Sequence, residues 1–273
     1  MMHRVLCSTG ALIGRPNGRD YRLLEKCRDQ IKCDGYEFMF YDTWYPEHRE
    51  IQAFLKAIQL PVIAWHCEKR IGQDIAPGTM EGDRAAREKF LINCRMAGAL
   101  GAEKMVIHLW DGPISDSRIE NNIAAFSWLR KIAMEHGLDL MVENVVCAYQ
   151  DPLTHWRMLQ QVYPDIHFTF DTKMAAFHDQ MPLSCSEEYR WLWDHIRHLH
   201  VNDYGGGYLD WQNLKTLHIG KGKIDFEAFW VFLKQIGYAG DFTVEATSFG
   251  ADGVIYFQAL NDSLDWIRQH EWK

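Results

Sequence analysis

The chain has 273 residues, which is enough for one large hydrophobic core and lies in the usual size range of a closed α/β barrel. Its 29 Lys and Arg against 37 Asp and Glu give a formal charge of −8. This charge argues against nucleic acid as a partner, because phosphate binding needs a basic surface. Seven cysteines without a C-x-x-C pair are typical of reduced thiols, and no apolar run is long enough to span a membrane.

The first residues, MMHRVLCSTG, lead directly into a strand pattern. They leave no room for the apolar stretch of a signal peptide. Together with the reduced thiols, this predicts a cytoplasmic protein with no membrane partner.

Eight short apolar or β-branched runs predict eight β-strands. They cover residues 4–8, 36–41, 62–67, 104–110, 139–144, 167–172, 196–203 and 240–247. Four of the segments between or after them repeat apolar side chains at helical spacing, and three of these end at a glycine. The repeats are Phe90, Cys94 and Ala97 before Gly101; Ile119, Ile123 and Phe126 before Gly137; Phe229, Leu233 and Ile236 before Gly237; and Val254, Phe257, Leu264 and Ile267.

This alternation predicts an α/β protein with parallel strands, because each helical crossover returns the chain to the same edge of the sheet. Eight such units close into a (β/α)₈ TIM barrel, which we predict as a single domain over residues 1–273. The alternative is an open doubly wound sheet, in which STGALIG (8–14) would be the glycine-rich turn after the first strand. The eight regular repeats favour the barrel.

Six of the predicted strands carry an ionisable residue near their C-terminal ends, although strands buried on both faces should be almost purely apolar. These residues are His66, His108, Glu143, Asp171, His200 and Glu245. Barrel enzymes build their active sites at this end of the strands, so we expect the six side chains to face one mouth. Side-chain alternation along the strands supports this, because the residues two positions earlier would also point inward and fill the barrel interior below the mouth with medium-sized side chains. The inward pairs are Met141 with Glu143, Thr169 with Asp171, His198 with His200, and Thr243 with Glu245.

Three carboxylates crowded into one barrel mouth would repel one another and would be costly to desolvate. A divalent cation removes that conflict, and we predict one metal ion held by Glu143, Asp171, His200 and Glu245. Oxygen and imidazole ligands without a thiolate suit Mn²⁺, Co²⁺, Zn²⁺ or Mg²⁺, and the sequence does not choose among them. The alternative for each residue taken alone is a polar core group satisfied by its neighbours.

The chain resembles the sugar phosphate isomerase/epimerase superfamily of xylose isomerase-like barrels, which also includes AP endonucleases of the endonuclease-IV type. The matching stretches are LMVEN (140–144), FTFDT (168–172), HLHVND (198–203) and LHIGKGKIDFEAFWVFLKQIGYAGDFTVEAT (217–247). The resemblance implies that Glu143, Asp171, His200 and Glu245 hold one divalent metal. It also implies that the two glutamates act as acid and base on opposite faces of a bound sugar.

Several positions depart from the family's patterns. Ketose epimerases often have His three residues after the strand-six Asp, where this chain has Met174, and they have Arg where this chain has Gly206. These changes weaken the case for an ordinary ketose 3-epimerase. The endonucleases need an Asp-x-His at the positions of Leu214 and Thr216, so a trinuclear zinc cluster could not assemble.

Further residues near the predicted mouth are candidates for contact with substrate. They are His66, His108, Lys173, His218, Lys221 and Trp110. Lys173 could neutralise a developing oxyanion or bind a carboxylate, or it could be a solvated lysine. His198 is expected one layer lower as a core histidine, and Glu37 is a candidate partner behind a metal ligand.

The sequence therefore predicts a metal-dependent isomerase or epimerase of a keto sugar or related polyol, acting through a stabilised enediolate. The first alternative is a dehydratase or lyase of the same barrel acting on an inosose or 3-keto-sugar. An AP endonuclease-like hydrolase and a non-catalytic sugar-binding barrel rank below it. Members of this superfamily are often dimers or tetramers, so the resemblance is compatible with a homo-oligomer, although the sequence does not set the oligomeric state.

Overall fold

The computed structural model describes residues 3–270. Eight β-strands lie in this range, one at each predicted position. They are β1 (Val5–Ser8), β2 (Gly35–Met39), β3 (Val62–His66), β4 (Lys104–Ile107), β5 (Asp139–Glu143), β6 (His167–Asp171), β7 (Ile196–His200) and β8 (Asp241–Val244).

Helical segments separate the strands. The α-helices are α1 (Leu23–Cys27), α2 (His48–Ala57), α3 (Ile71–Ile75), α4 (Met80–Leu100), α5 (Pro113–Asp116), α6 (Ile119–Glu135), α7 (Pro152–Val162), α8 (Thr172–Phe177), α9 (Met181–Ser184), α10 (Phe226–Ile236) and α11 (Phe257–His270). Short 3₁₀ segments lie at Thr9–Ala11, Arg15–Asn17, Arg28–Gln30, Asp42–Glu47, Glu187–Asp194 and Trp211–Asn213.

The eight strands close into a barrel in the order β1 to β8. Neighbouring strands pair in parallel; for example, Cys7 of β1 lies opposite Tyr36 of β2 on one side and Val244 of β8 on the other. The predicted (β/α)₈ TIM barrel is confirmed, and the open doubly wound sheet is excluded. In such a barrel the C-terminal ends of all strands surround one face.

Residues 38–169 form one compact half of the chain. In this half β3, β4 and β5 pair in sequence, with Trp65 opposite Met105 and Met105 opposite Leu140. Helix α4 is fixed to β3 by a buried hydrogen bond, in which the indole N–H of Trp65 donates to Asn93 Oδ1 over 2.8 Å. The helix ends at Gly101, whose φ of +82° is the left-handed conformation that favours glycine at a helix C-terminus.

Residues 3–37 and 170–270 form the other compact half. Here β8 pairs with both β1 and β7. Helix α10 begins after Asp225, whose carboxylate accepts from the backbone N–H of Ala228, and it ends at Gly237 as predicted. The last helix begins at Phe257, so including Val254 in it was wrong. The Val254 backbone instead forms a turn, because its N–H donates to Asp252 and its carbonyl accepts from Gly250.

Most strands end earlier than their sequence patterns predict. Strand β4 ends at Ile107 rather than Trp110, and β7 ends at His200 rather than Asp203. The backbone beyond the strand finds other partners: Asp203 exchanges hydrogen bonds with Leu217 of the following loop. Apolar alternation continues past the strand ends because these residues are still buried, and alternation alone therefore overestimates strand length.

Within residues 3–270, every helix is too short or too polar to cross a membrane.

Candidate metal centre and active site

Three of the four predicted metal ligands lie together around His200. Asp171 and His200 are the last residues of β6 and β7, and Glu245 directly follows β8. Nδ1 of His200 lies 3.5 Å from Glu245 Oε2 and 3.9 Å from Asp171 Oδ2. One ligand atom from each residue falls within 4.8 Å of the other two. Two carboxylates and an imidazole therefore face one small space.

The carboxylate of Glu37 holds the other side of the His200 ring. Nε2 of His200 lies 3.1 Å from Glu37 Oε2, and Glu37 is completely buried. A donated Nε2–H leaves the Nδ1 lone pair facing Asp171 and Glu245, because a neutral imidazole carries one N–H. Burial alone would raise the pKa of Glu37, but the facing imidazoles of His200 and His198 outweigh it and hold that pKa well below its usual range.

His198 lies one layer deeper in the barrel, as the strand alternation predicts. Its Nε2 lies 2.8 Å from Glu37 Oε2 and 2.9 Å from the hydroxyl of Thr243. The Thr243 hydroxyl is also 3.2 Å from Glu37. His198 is thus a buried histidine with polar partners, and it helps to hold the Glu37 carboxylate against His200.

Asn202 connects two of the candidate ligands, although the sequence analysis did not single it out. Its side-chain N–H₂ donates to Asp171 Oδ2 over 3.1 Å, and its Oδ1 accepts from the backbone N–H of Glu245 over 2.9 Å. Asp171 Oδ1 accepts from the backbone N–H of Met174. The position two residues after His200 was the available signal, since it continues the inward alternation of β7.

Glu143, the fourth predicted ligand, is the last residue of β5 and lies between two histidines of its own half. Its Oε2 is 3.2 Å from His66 Nε2 and 2.8 Å from His108 Nε2. All three side chains are buried. The rings of His66 and His108 meet edge to face, with centroids 5.0 Å apart. In this half the structure therefore brings together three of the six predicted residues.

A backbone carbonyl oxygen orients the His66 ring from behind, and a carboxylate lies near the His108 ring. Nδ1 of His66 lies 2.8 Å from the carbonyl oxygen of Cys67, and Nδ1 of His108 lies 3.9 Å from Asp111 Oδ2. Burial alone would lower the pKa of His108, but the charge of Glu143 outweighs it and raises that pKa above its usual range. The Glu143 carboxylate therefore favours the protonated form of His108.

Lys173, His218 and Lys221 lie in the same half as the His200 cluster. Lys173 is buried and its Nζ donates to the hydroxyl of Thr216 over 3.1 Å. Nδ1 of His218 is 3.3 Å from the hydroxyl of Ser263, and burial followed by the charge of Lys221 lowers the pKa of His218. Lys221 is exposed.

Trp110 is fully buried, and its indole N–H donates to the backbone carbonyl of Val145 over 2.9 Å. Its ring packs edge to face on His155. In this arrangement Trp110 shapes the segment after β5, and its part in substrate binding stays a prediction. Two exposed aromatic residues in the β7–β8 region are Tyr208 and Trp211.

Gly206, which stands where ketose epimerases often have Arg, packs closely against a tyrosine ring. A Cβ atom at Gly206 would lie 2.3 Å from the hydroxyl oxygen of Tyr204. That hydroxyl donates to the carbonyl of Gly207 over 2.8 Å. Any larger residue at position 206 would have to displace Tyr204, so this loop is built differently from one that presents an arginine.

The model of the xylose isomerase-like TIM barrel family matches residues 26–270. The chain belongs to this family. Among curated proteins, none matches the chain significantly.

Solved structures with the same fold include several sugar epimerases. One is a D-tagatose 3-epimerase-like protein, 20% identical, with 98% of this chain and 96% of that chain covered and a TM-score of 0.72. Another is a D-allulose 3-epimerase from Methylomonas sp., 17% identical, with 99% and 98% covered and a TM-score of 0.73. The IolI protein with a bound zinc atom is 13% identical, with 98% and 96% covered and a TM-score of 0.68. At these identities the similarity shows the fold alone.

Proposed function

We propose that this protein is a divalent-metal-dependent isomerase or epimerase of a keto sugar or related polyol. The observation that carries the proposal is the cluster of Asp171, His200 and Glu245, whose ligand atoms lie within 4.8 Å of one another. Glu143 is proposed as the fourth ligand, because it ends its strand as Asp171 and His200 end theirs. The sugar-epimerase names of the similar structures support the same class.

The residues around His200 fit a divalent cation. Oε1 of Glu245 is buried and has no hydrogen-bond partner among residues 3–270, which leaves an acceptor oxygen for a cation. The His200 ring has a carboxylate behind it, an arrangement common to metal-binding histidines. Carboxylate oxygens and one imidazole suit Mn²⁺, Co²⁺, Zn²⁺ or Mg²⁺.

Such an ion, when bound, would supply Lewis-acid stabilisation to the carbonyl and adjacent hydroxyl oxygens of a sugar. The protein's own residues would then move the protons. One of Glu143 and Glu245 removes the proton next to the carbonyl, and the other returns a proton from the opposite face. Return to the same carbon from the other side gives an epimer, whereas return to the neighbouring carbon gives an isomer.

Replacing Glu37 by glutamine is expected to weaken the affinity for Co²⁺ or Mn²⁺ about 10- to 100-fold. The reason is that Nε2 of His200 loses its charged partner, and the ring is then held less firmly with Nδ1 toward the proposed metal. Titration of metal-free protein with each ion measures this. Glu68→Gln is the matched control, since Glu68 is equally buried but contacts the Arg70 N–H and Lys89 instead. Equal metal affinity in the Glu37 variant and wild type would remove Glu37 from the site.

The proposal is tested by incubating the metal-loaded protein with keto sugars and inososes in deuterated water. Deuterium incorporation next to the carbonyl, together with an isomeric product, supports it. A product that absorbs as an enone or diketone would assign the dehydratase alternative instead. Tight binding of a sugar without any exchange would favour the non-catalytic sugar-binding barrel.

A further inference from the structure

A buried lysine without an acidic partner lies two residues after Asp171, a candidate metal ligand. Lys173 is 7% exposed, and its Nζ has one described partner, the neutral hydroxyl of Thr216 at 3.1 Å. Among residues 3–270, no carboxylate lies within 4.0 Å of that nitrogen. Buried lysines are rare and are normally paired, because desolvating an ammonium group without compensation is costly.

Two backbone connections link Lys173 and its partner Thr216 to the segments that carry the candidate metal ligands of this half. Lys173 lies two residues after Asp171, at the start of α8. Its partner Thr216 accepts a backbone hydrogen bond from Thr247, which lies two residues after Glu245. The Lys173 side chain is therefore held between the segments that leave Asp171 and Glu245.

The charged side chains described around His200 are acidic, so a buried lysine in this half is unusual. The ligand cluster presents Asp171 and Glu245, with Glu37 behind His200. These three carboxylates carry more negative charge than one divalent cation offsets, so an anionic substrate would still be repelled here unless a further cation lay nearby. Lys173 supplies that cation, and the loop that carries Thr216 continues to His218 and the exposed Lys221.

We propose that the substrate carries an anionic group, a carboxylate or a phosphate, which pairs with Nζ of Lys173. This inference rests on the proposed sugar isomerase or epimerase function and narrows its substrate class to acidic or phosphorylated keto sugars. The hydroxyl of Thr216 orients the ammonium group. The substrate anion then forms the ion pair that no carboxylate among residues 3–270 makes with Lys173.

The test compares the binding of D-fructose, D-fructuronate and D-fructose 6-phosphate by calorimetry, with Mn²⁺ present and again without added metal. The three probes share a ketose core and differ in charge, so the two anions separate a carboxylate site from a phosphate site. We expect wild type to bind one anion at least about 10-fold more tightly than D-fructose. Lys173→Met should lose that advantage, and Lys173→Arg should retain part of it.

Lys215→Met is the matched control, because Lys215 is an exposed neighbour of Thr216 and its replacement changes the net charge equally. It should bind all three probes as wild type does. Equal affinity for charged and neutral probes in wild type would overturn the inference, as would an unchanged anion preference in a folded Lys173→Met variant. Metal binding and deuterium exchange are measured separately, so exchange on neutral sugars without anion preference would leave the proposed function intact.

Discussion

Replacing Glu245 by glutamine is expected to slow deuterium incorporation next to the sugar carbonyl by about 10²- to 10⁴-fold, the usual contribution of a general acid or base. Glutamine keeps the size of the side chain and an oxygen ligand, but it cannot accept or return a proton at neutral pH. The Glu245 side chain lies 3.5 Å from the metal-facing Nδ1 of His200. The measurement is the exchange rate in deuterated water under saturating metal.

The control for this variant is Glu227→Gln, an exposed glutamate on α10 that contacts His270. It should exchange protons at the wild-type rate. Metal content is measured on both variants, because a lost ion would also slow exchange. If the Glu245 variant binds metal normally and exchanges at the wild-type rate, Glu245 is not the acid or base.

Replacing Asp116 by alanine is expected to reduce the free energy of unfolding by about 1–3 kcal/mol, the usual cost of leaving a buried hydrogen-bond donor without its acceptor. Asp116 Oδ1 lies 2.5 Å from His155 Nε2, and both residues are buried. Its Oδ2 accepts from the backbone N–H groups of Ala148 and Tyr149, so alanine would leave the buried His155 ring and two backbone donors without their acceptor. Urea unfolding of both proteins measures the difference.

The matched control is Asp165→Ala, which breaks the exposed ion pair with Arg130. Exposed pairs contribute about 0–1 kcal/mol, so this variant should unfold close to wild type. Equal stability of the Asp116 and Asp165 variants would show that the buried cluster does not hold the segment after β5.

The Asp116 interaction should also depend on pH. Burial alone would raise the pKa of this carboxyl, but hydrogen bonds from His155 and the backbone lower it from 3.8 to about 2. A lowered folded-state pKa stabilises the fold at pH above the unfolded value of 3.8, and that stabilisation is lost as pH falls toward 2. Wild type and the Asp116→Ala variant should therefore approach each other in stability over that window.

The positions of the candidate ligands could be predicted because an ionisable residue at the C-terminal end of a barrel strand is unusual and points to the active-site face. Asp171 and His200 are buried ionisable residues at the last position of their strands, where a polar group is costly unless it serves a site. Glu245 lies one residue beyond β8 and continues its alternation. The same side-chain alternation predicted that His198 lies one layer deeper in the barrel than His200. These inferences need only the two-residue repeat of a strand and the common direction of the strands.

Contacts between residues far apart in the sequence could not be predicted in the same way. Asp116 and His155 lie 39 residues apart on two helices, and no spacing connects them before the fold is known. The same holds for Lys173 and Thr216, which meet across 43 residues. Asn202 lay inside a matched motif, but its two hydrogen bonds depend on where β7 ends.

Several predictions need experiments on the purified protein or in cells. A single domain over residues 1–273, a cytoplasmic location and a homo-oligomer stay predictions, as do the roles of His66, His108, His218, Lys221 and Trp110 toward substrate. Sedimentation of the purified protein would establish the oligomeric state. Alanine variants of these five residues, compared with wild type in activity and sugar binding, would test the substrate contacts.

The most direct test of the account is the metal content of the purified protein, compared with that of a Glu143→Gln, Glu245→Gln double variant. A double variant of two exposed glutamates, Glu120 and Glu227, serves as control. We predict about one equivalent of divalent metal in wild type and in the control, and a sharp loss in the Glu143, Glu245 variant. Wild-type protein that binds no metal after incubation with Mn²⁺, Co²⁺ and Zn²⁺ would contradict the proposed mechanism.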